Sequence, residues 1–509
     1  MERYDIVVYG GTSAGIMAAV QAARMGMRVV VIEPGVRIGG LTASGLGATD
    51  AGDPAAIGGL ARQFYERVGR YYGREGLVWR FEPKAALDVF QSYAAEHRIP
   101  VRCRERLDLA AGVRRNGTRI EAIRTESGRT YAGSVFIDAT YEGDLMAAAG
   151  VSHVIGREAN AEFGETLNGI RPLAPLPHPV DPYRVKGDPA SGLLPRVNAS
   201  PGGAVGEGDC KTQAYNFRMC LTNDPLNRVA IDKPPGYREA EYELLFRLIE
   251  QGCEELFFKL TMMPGNKTDS NNSTPWCSTD YIGGNVLYPE ADYRVREEIC
   301  RAHERYQRGL VWTLQHHPRV PEHIREVYKP WGLPRDEFIE NRHWPPVLYV
   351  REARRMRGEA VVTEHTALGR EAVPDAIALG SYAMDSHTVQ YCVGGDGTVH
   401  TEGHFFVRVP APFPISYRAI VPKRAECGNL LVPVCLSATH AAYGSVRMEP
   451  VFMILGQSAT IAAAIAVERG RAVQDVDYGD WRRAADACGI ITDLGEDYAT
   501  PEGTTGNPL

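Results

Sequence analysis

The chain opens on an apolar, β-branched run, Ile6-Val7-Val8-Tyr9, with no polar residue alternating through it. That is the pattern of a strand covered on both faces. Gly10-Gly11-Thr12-Ser13-Ala14-Gly15 follows at once, then helix-favouring residues over 16–25 and a stop at Gly26. A second apolar run, Val29-Val30-Val31-Ile32, ends at Glu33. The spacing predicts a βαβ unit of about 30 residues with a glycine-rich turn at the entry to its helix.

Further on, 81–97 reads as an amphipathic helix with Pro83 in its first turn, and 99–104 as a strand. Three alternating segments, 107–114, 119–125 and 130–135, are joined by Asn116-Gly117 and Ser127-Gly128 turns. They predict a β-meander, followed by a strand over 136–140. Prolines and glycines crowd the stretch from 151 to about 235, so loops and edge strands are expected there. Helical spacing returns over 239–259 and 291–316, and Gly394-Gly395-Asp396-Gly397 reads as a turn between strands. Near the end, 430–434 is a buried strand, and Glu449-Pro450 opens a helix over 449–469 closed by Gly470. That helix is apolar on nearly every face and is expected inside the protein.

Composition narrows the class. At 509 residues the chain should form two or three units. The 56 Lys and Arg against 63 Asp and Glu give a net charge of −7, which argues against a nucleic-acid partner. Uninterrupted apolar stretches such as 461–467 are short of the ~18 residues of a membrane span. The ten cysteines form no C-x-x-C pair and no zinc-like spacing, so reduced thiols are expected. With an apolar strand under way by Ile6, the expected location is the cytoplasm.

The glycine-rich turn suits a dinucleotide. Gly10 permits the turn out of the strand, and Gly15 lets the helix pack closely on the sheet. The N–H groups at the helix start, around Ser13 and Ala14, offer a positive dipole end to a pyrophosphate. Glu33, 18 residues past Gly15, is placed to accept hydrogen bonds from an adenosine ribose. Thr12 stands where the fingerprint has its middle glycine, the one feature favouring a nucleotide-binding module without redox chemistry. The next segment, from Pro34 through Gly39-Gly40-Leu41-Thr42 to Gly45, starts no second helix as an NAD domain would. A glycine-rich extended loop suits a cofactor running on past its pyrophosphate, so FAD is expected. No second strand–glycine–helix unit follows, so NAD(P)H is not expected as a tightly bound partner. No motif names the electron acceptor.

These blocks carry a resemblance: YGGTSAGIMAAVQAARMG (9–26), IGGLTASGLGATDAG (38–52), FIDATYEGDLMAAAG (136–150) and QAYNFRMCLTNDP (213–225). It continues through HWPPVLYVREARRM (343–356), YAMDSHTVQ (382–390) and LLVPVCLSATHAAYGSVRMEPVFMILGQSA (430–459). The chain resembles bacterial FAD-dependent oxidoreductases whose cofactor domain follows the glutathione reductase plan. The resemblance implies an α/β protein: a discontinuous, Rossmann-like, glutathione-reductase-like FAD-binding domain with a β-meander, formed by 1–165 and 406–509. An α+β substrate domain, 166–405, is inserted in it. It also implies that 430–434 and the last long helix close the sheet and present the helix N-terminus to the flavin's pyrimidine end. Cofactor contacts are then expected from Gly10, Gly11, Thr12, Ser13, Ala14, Gly15, Glu33, Pro34, Gly39, Gly40, Leu41, Thr42 and Gly45. The same holds for Cys103, Ala139, Thr140, Gly143, Asp144, Arg447 and Met448. Fumarate-reductase-type enzymes carry a flavin-linking His shortly after the corresponding Gly-Gly; here Leu41 to Ser44 offer none, so the FAD is expected to be non-covalent.

Candidates for chemistry sit just before and at the start of the last long helix: His440, Tyr443, Arg447 and Glu449. His440 is a candidate base and Arg447 a stabiliser of negative charge; the alternative is a loop-capping His440 and an Arg447–Glu449 pair. Asp385-Ser386-His387 is either catalytic or a turn with a surface histidine. Arg351, Arg354, Arg355 and Arg357 form a basic patch, with Arg351 the foremost candidate to hold a substrate carboxylate. The alternative is a solvated face paired with Glu352 and Glu359. His316, His317 and His323 lack a patterned third ligand, and no metal is expected. The expected function is removal of hydride from a small polar, hydroxylated, sugar-like substrate, the sugar-like part by analogy alone. Oxidation or reduction of an activated C–C bond in a carboxylate is the alternative.

Overall fold

The βαβ unit forms where the pattern placed it. In the computed structural model, which describes residues 2–274, 276–495 and 498, β1 (Glu2–Tyr9) leads into α1 (Ser13–Arg24) and β2 (Val29–Glu33). The sheet extends through β3 (Val101–Cys103), β4 (Val113–Asn116), β5 (Arg119–Arg124), β6 (Thr130–Asp138) and β7 (Leu430–Leu431). Its order is β3-β2-β1-β6-β5-β4, with β7 also on β6. β3, β2, β1, β6 and β7 run parallel, while β4, β5 and the start of β6 form an antiparallel meander.

β6 is one nine-residue strand, where the sequence suggested a meander strand and a separate core strand. Its first residues pair with β5 and Phe136 and Ile137 pair with β7 along the same edge. Register with β1 runs the whole length, so a single strand serves both sub-sheets. The segment 107–112 is a turn rather than a strand, held by the Gly112 N–H on the Asp108 carbonyl, with Leu107 bridging Thr125. The strand expected over 430–434 is only two residues long, although Leu430 to Leu436 are all buried.

Helix α2 (Pro83–Glu96) carries Pro83 at its start. α3 (Tyr293–His316) begins at an Asp292 side chain that accepts from the Val295 N–H. The helix expected over 239–259 ends early: a 3-10 turn, Glu239–Tyr242, leads into Glu243–Glu250, and Gly252 at φ +92° closes it. Leucines and phenylalanines continue beyond Gly252, which made the longer helix plausible from spacing alone.

α4 (His440–Val446) and α5 (Glu449–Arg469) follow β7. α5 has the bounds that Pro450 and Gly470 predict, with Gly470 left-handed at φ 61°. Buried residues occupy it from Glu449 to Ala466. By length and hydropathy it passes for a membrane span, yet 94% of its apolar window is buried inside the protein. It packs against α1 so closely that a Cβ on Gly456 would lie 2.2 Å from the Ala14 carbonyl oxygen. Each large aliphatic side chain on it contributes about 1.5–3 kcal/mol by leaving water.

Between β6 and β7 the chain makes short sheets and helices. Met219–Thr222 and Thr261–Met263 flank Lys267–Ser270 in an antiparallel three-stranded sheet. Met384–Ser386 pairs with Phe405–Val407, placing Ser386 opposite Phe405. Ala376–Gly380 pairs with Phe413–Ser416, and the Ser458 hydroxyl on α5 donates to the Ile377 carbonyl.

Candidate active site

The turn after β1 is built around Thr12. Its hydroxyl donates to the Ala139 carbonyl (2.7 Å) and accepts from the Gly15 N–H (3.2 Å), so Thr12 is the N-cap of α1. The residue that departs from the fingerprint thus ties the turn to the end of β6. Gly15 cannot change, because its Cβ would fall 1.8 Å from the Gly10 carbonyl oxygen. The N–H groups of Ser13 and Ala14 precede the first intrahelical donor, the Ile16 N–H, and are left for an anion.

Glu33, at the end of β2, faces this turn. Its carboxylate accepts from the Gly11 N–H (2.7 Å) and the Gly35 N–H (2.5 Å). Burial pushes its pKa up to about 7, against the opposing pull of those two N–H groups. Two N–H bonds leave further lone pairs on the carboxylate for hydroxyl donors. Pro34 follows, and Cys103 lies beside Glu33 in the β2–β3 register with an exposed thiol.

Gly40–Ala43 forms a 3-10 turn behind a left-handed Gly39 (φ 90°), and the Gly39 N–H donates to the Gly11 carbonyl. Leu41 N–H donates to the Tyr141 hydroxyl (3.0 Å), and the Thr42 hydroxyl to Glu449 (2.5 Å). Tyr141 in turn donates to Glu449 (2.8 Å). The start of α5, with Met448 as its N-cap, is therefore wired to the loops after β2 and β6. Burial raises the Glu449 pKa against the hydrogen bonds it accepts. Thr140 donates to Asp138 and accepts from the Gly143 N–H, where Gly143 turns left-handed into Asp144–Ala148. Asp144 is fully engaged by protein: it takes both Nη atoms of Arg296 (2.7 and 2.9 Å) and Nη1 of Arg354 (2.8 Å).

A cavity of about 370 Å³ opens beyond the 3-10 turn and Arg447. Asp50, Arg218, Tyr349, Asp385, His387 and His404 line it together with Arg447. Several of its charges are held in pairs, while Asp50 and Lys259 line it with no ion pair among the described residues. Arg218 grips Asp269 through Nε (2.8 Å) and Nη2 (2.5 Å), leaving Nη1 without a partner. Arg447 reaches Asp385 (3.1 Å) and the Tyr349 hydroxyl (2.8 Å). His387 stands between two carboxylates, Asp280 at 2.7 Å from Nδ1 and Asp385 at 3.4 Å from Nε2. Burial opposes ionisation of Asp280, but Arg351 and then His387 outweigh it and hold the pKa below the usual carboxylate range. Asp385 is also held low, by His387 and then Arg447, against its burial. Asp50 is shifted upward by burial, with Arg218 and Arg447 opposing.

Of the residues singled out for chemistry, Asp385, His387 and Arg447 reach this cavity. The surface-histidine alternative for His387 does not hold, since it is 9% exposed and flanked by acids. Arg447 pairs with Asp385, not Glu449. His440 lies behind the wall at 1% exposure, with Nδ1 on Glu352 (2.9 Å) and Nε2 on the Ser386 hydroxyl (3.1 Å). Tyr443 is buried as well and donates to the Val434 carbonyl. Arg351 is buried, bound to Asp280 (2.9 Å) and the Ala214 carbonyl, and so supports His387 from behind. The solvated basic face is corrected too: Arg354 and Arg355 are buried on Asp144 and Glu158, and Arg357 pairs with Glu162. His317 is buried against Phe246 and faces Glu239 at 3.4 Å.

Sequence reasoning missed Asp50, Arg218, Tyr349 and His404. Asp50, Arg218 and Tyr349 sit inside blocks 38–52, 213–225 and 343–356 that carried the resemblance, and that was the available signal. His404 had none, lying in the turn between Val399–Glu402 and Phe405–Val407.

Free N–H groups at the start of α1, the Glu33 carboxylate facing them and a polar cavity past the start of α5 form a donor set that fits FAD. No curated protein matches the chain. Among solved structures, it is similar to a flavin-containing monooxygenase from Stenotrophomonas maltophilia, at 18% identity and a TM-score of 0.22 over 34% of this chain and 45% of that one. L-proline dehydrogenase from P. horikoshii shows 17% identity and a TM-score of 0.25 over 31% of this chain and 59% of the other. The myxobacterial chondrochloren halogenase CndH shows 16% and 0.25, over 35% and 46%. The chain thus spans about half the length of those flavoenzymes. The family model described as FAD dependent oxidoreductase matches residues 5–484, nearly the whole chain, and the protein belongs to that family of FAD-binding enzymes.

Proposed function

We propose that the enzyme oxidises a small, uncharged, hydroxylated substrate, of sugar or polyol type, held in the Asp50–Arg447 cavity. The observation that carries this reading is the pairing of both lining arginines along the wall, which leaves Lys259 at the rim as the lining Lys or Arg with no ion pair among the described residues. Arg218 and Arg447 each already hold a carboxylate, Asp269 and Asp385, so neither is a bare cation awaiting a substrate carboxylate. What remains is a dense set of donors and acceptors, with the rings of Tyr349, Tyr382 and Phe406 beside them. That suits hydroxyls on a compact carbon frame.

FAD, when bound, supplies the two-electron acceptor. Ser13 and Ala14 would hold its pyrophosphate, and Glu33 its adenosine ribose. Thr42, Met448 and Arg447 would flank the flavin end, where the α5 dipole favours negative charge. The remaining residues orient the substrate and carry its proton: Asp385 accepts from a hydroxyl, and the His387–His404 pair manages the proton. The reading includes a cofactor domain of the glutathione reductase plan, formed by 1–165 and 406–509 around an inserted 166–405. The pairing of β7 with β6 and the packing of α5 on α1 support it. The acceptor that reoxidises the cofactor is a small molecule entering the same cavity.

The test is anaerobic bleaching of the flavin absorbance by panels of sugars, polyols and carboxylates. Bleaching by hydroxylated neutral compounds is expected. Bleaching by carboxylates alone moves the assignment to C–C bond chemistry.

A further inference from the structure

Two histidines face the cavity, and the strand register sets them side by side. Ser386 pairs with Phe405, so His387 and His404 occupy the next positions outward on the same ladder. Their hydrogen bonds differ in kind. The Nδ1 of His404 lies 3.0 Å from the Ser386 carbonyl oxygen. A carbonyl only accepts, so Nδ1 carries the hydrogen and Nε2 is left as a lone pair. His387 meets a carboxylate at each ring nitrogen, Asp280 and Asp385, and a carboxylate also only accepts. A ring so flanked is placed to hold a hydrogen on each nitrogen, toward Asp280 and toward Asp385.

We infer that the two rings divide the work: His404, through Nε2, takes the proton of the substrate hydroxyl, and His387 is a fixed cation that positions that hydroxyl. This rests on the reading of the cavity as an alcohol-oxidising site. In the reaction the O–H bond breaks and its proton passes to His404. The C–H bond on the same carbon breaks, its hydrogen leaves with the electron pair to the FAD of the holoenzyme, and the C–O single bond becomes a carbonyl.

The surroundings favour the same assignment. His404 is exposed to the cavity, as an acceptor for substrate must be. Burial within the fold and the adjacent His387 charge keep its pKa below the usual histidine value, with Asp385 and Asp280 opposing. His440, the other histidine near the site, has both nitrogens engaged and does not line the cavity. Its Glu352–His440–Ser386 chain instead holds the strand from which His387 projects. Asp50 is the competing base on the wall.

The test has two arms on the holoenzyme. In the first, nitrogen NMR of labelled histidines, assigned with His404→Asn and His387→Asn variants, reports protonation with no substrate present. At pH 7, His404 should be neutral with hydrogen on Nδ1, and His387 doubly protonated. A protonated His404, or a neutral His387, overturns the division. In the second, flavin reduction is followed with a substrate from the neutral panel. His404→Asn should slow it by about 100-fold or more and abolish the fall in rate toward acid pH. His387→Asn should act mainly through KM, and Asp50→Asn should retain that acid limb. Loss of the limb in Asp50→Asn with His404→Asn active assigns the base to Asp50. If no alcohol reduces the flavin, the functional reading fails, while the NMR arm still decides the ring states.

Discussion

The cofactor end and the substrate end solve recognition in opposite ways. At the proposed cofactor end the groups on offer are mostly backbone: N–H groups of the turn and the start of α1, with one carboxylate, Glu33, held by Gly11 and Gly35. The turn, the start of α1 and Glu33 lie within one short stretch of chain. At the substrate end the contacts are side chains brought from distant segments and held as buried ion pairs. Arg218 and Asp269 are 51 residues apart, and His387 and Asp280 are 107 apart. A backbone site tolerates changes of side chain but not of shape, whereas a site of paired charges fails when one partner is lost.

Gly15→Val attacks shape, and its effect should be the largest. With the Gly10 carbonyl 1.8 Å from the new Cβ, α1 cannot seat on the sheet. The purified protein should carry no flavin absorbance, and excess FAD should not restore it. Asp269→Ala attacks pairing. Arg218 would be left as an uncompensated buried cation, a change of about 3–5 kcal/mol. The melting temperature should fall by several degrees, and substrate reduction of the flavin should be lost while FAD remains bound. An unchanged melting temperature would show that the pair is not what holds the substrate end.

Glu33 is the charge held by the turn itself, and its substitution should be the mildest. Glu33→Gln weakens charge-assisted bonds of roughly 1.5–3 kcal/mol, so FAD affinity should fall by about one to two orders of magnitude. Excess FAD should restore turnover. The pH dependence follows from its pKa, raised to about 7 from an ordinary value of 4.5. Burial favours the neutral acid, so its stabilisation of the cofactor-free protein is full below 4.5 and lost as pH rises through 7. Ribose hydroxyls donate to the ionised form, so FAD affinity should rise over the same window. Dialysis against FAD at about pH 5.5 and about pH 8, on either side of that titration, measures it, and Glu33→Gln should be nearly flat.

Legibility followed the same divide. β1, α1 and β2 could be read because period, turn and acid are local, and α5 was legible to its ends because Pro450 and Gly470 are local signals. Thr12 could be seen as a departure, but its role needed the Ala139 carbonyl, more than a hundred residues away. The substrate end was opaque for this reason. His440 was attractive because it precedes α5 in sequence, yet the fold turns it toward Glu352. His404 drew no notice, because only the pairing of Ser386 with Phe405 brings it beside His387. The helix over 239–259 was overextended because apolar spacing persists where one glycine ends the backbone geometry.

The pairing of β7 with β6, and of α5 with α1, has a consequence for how the protein is made. The first half of the sheet leaves the ribosome with one edge of β6 partly bare and with α1 lacking the helix that covers it. Both remain so until β7 and α5 have been made. Contacts of such long sequence separation form late and slowly. The nascent chain therefore carries apolar α1 and the β6 edge open to wrong partners until α5 docks. Truncations that remove α5 should leave not a weaker enzyme but an insoluble one.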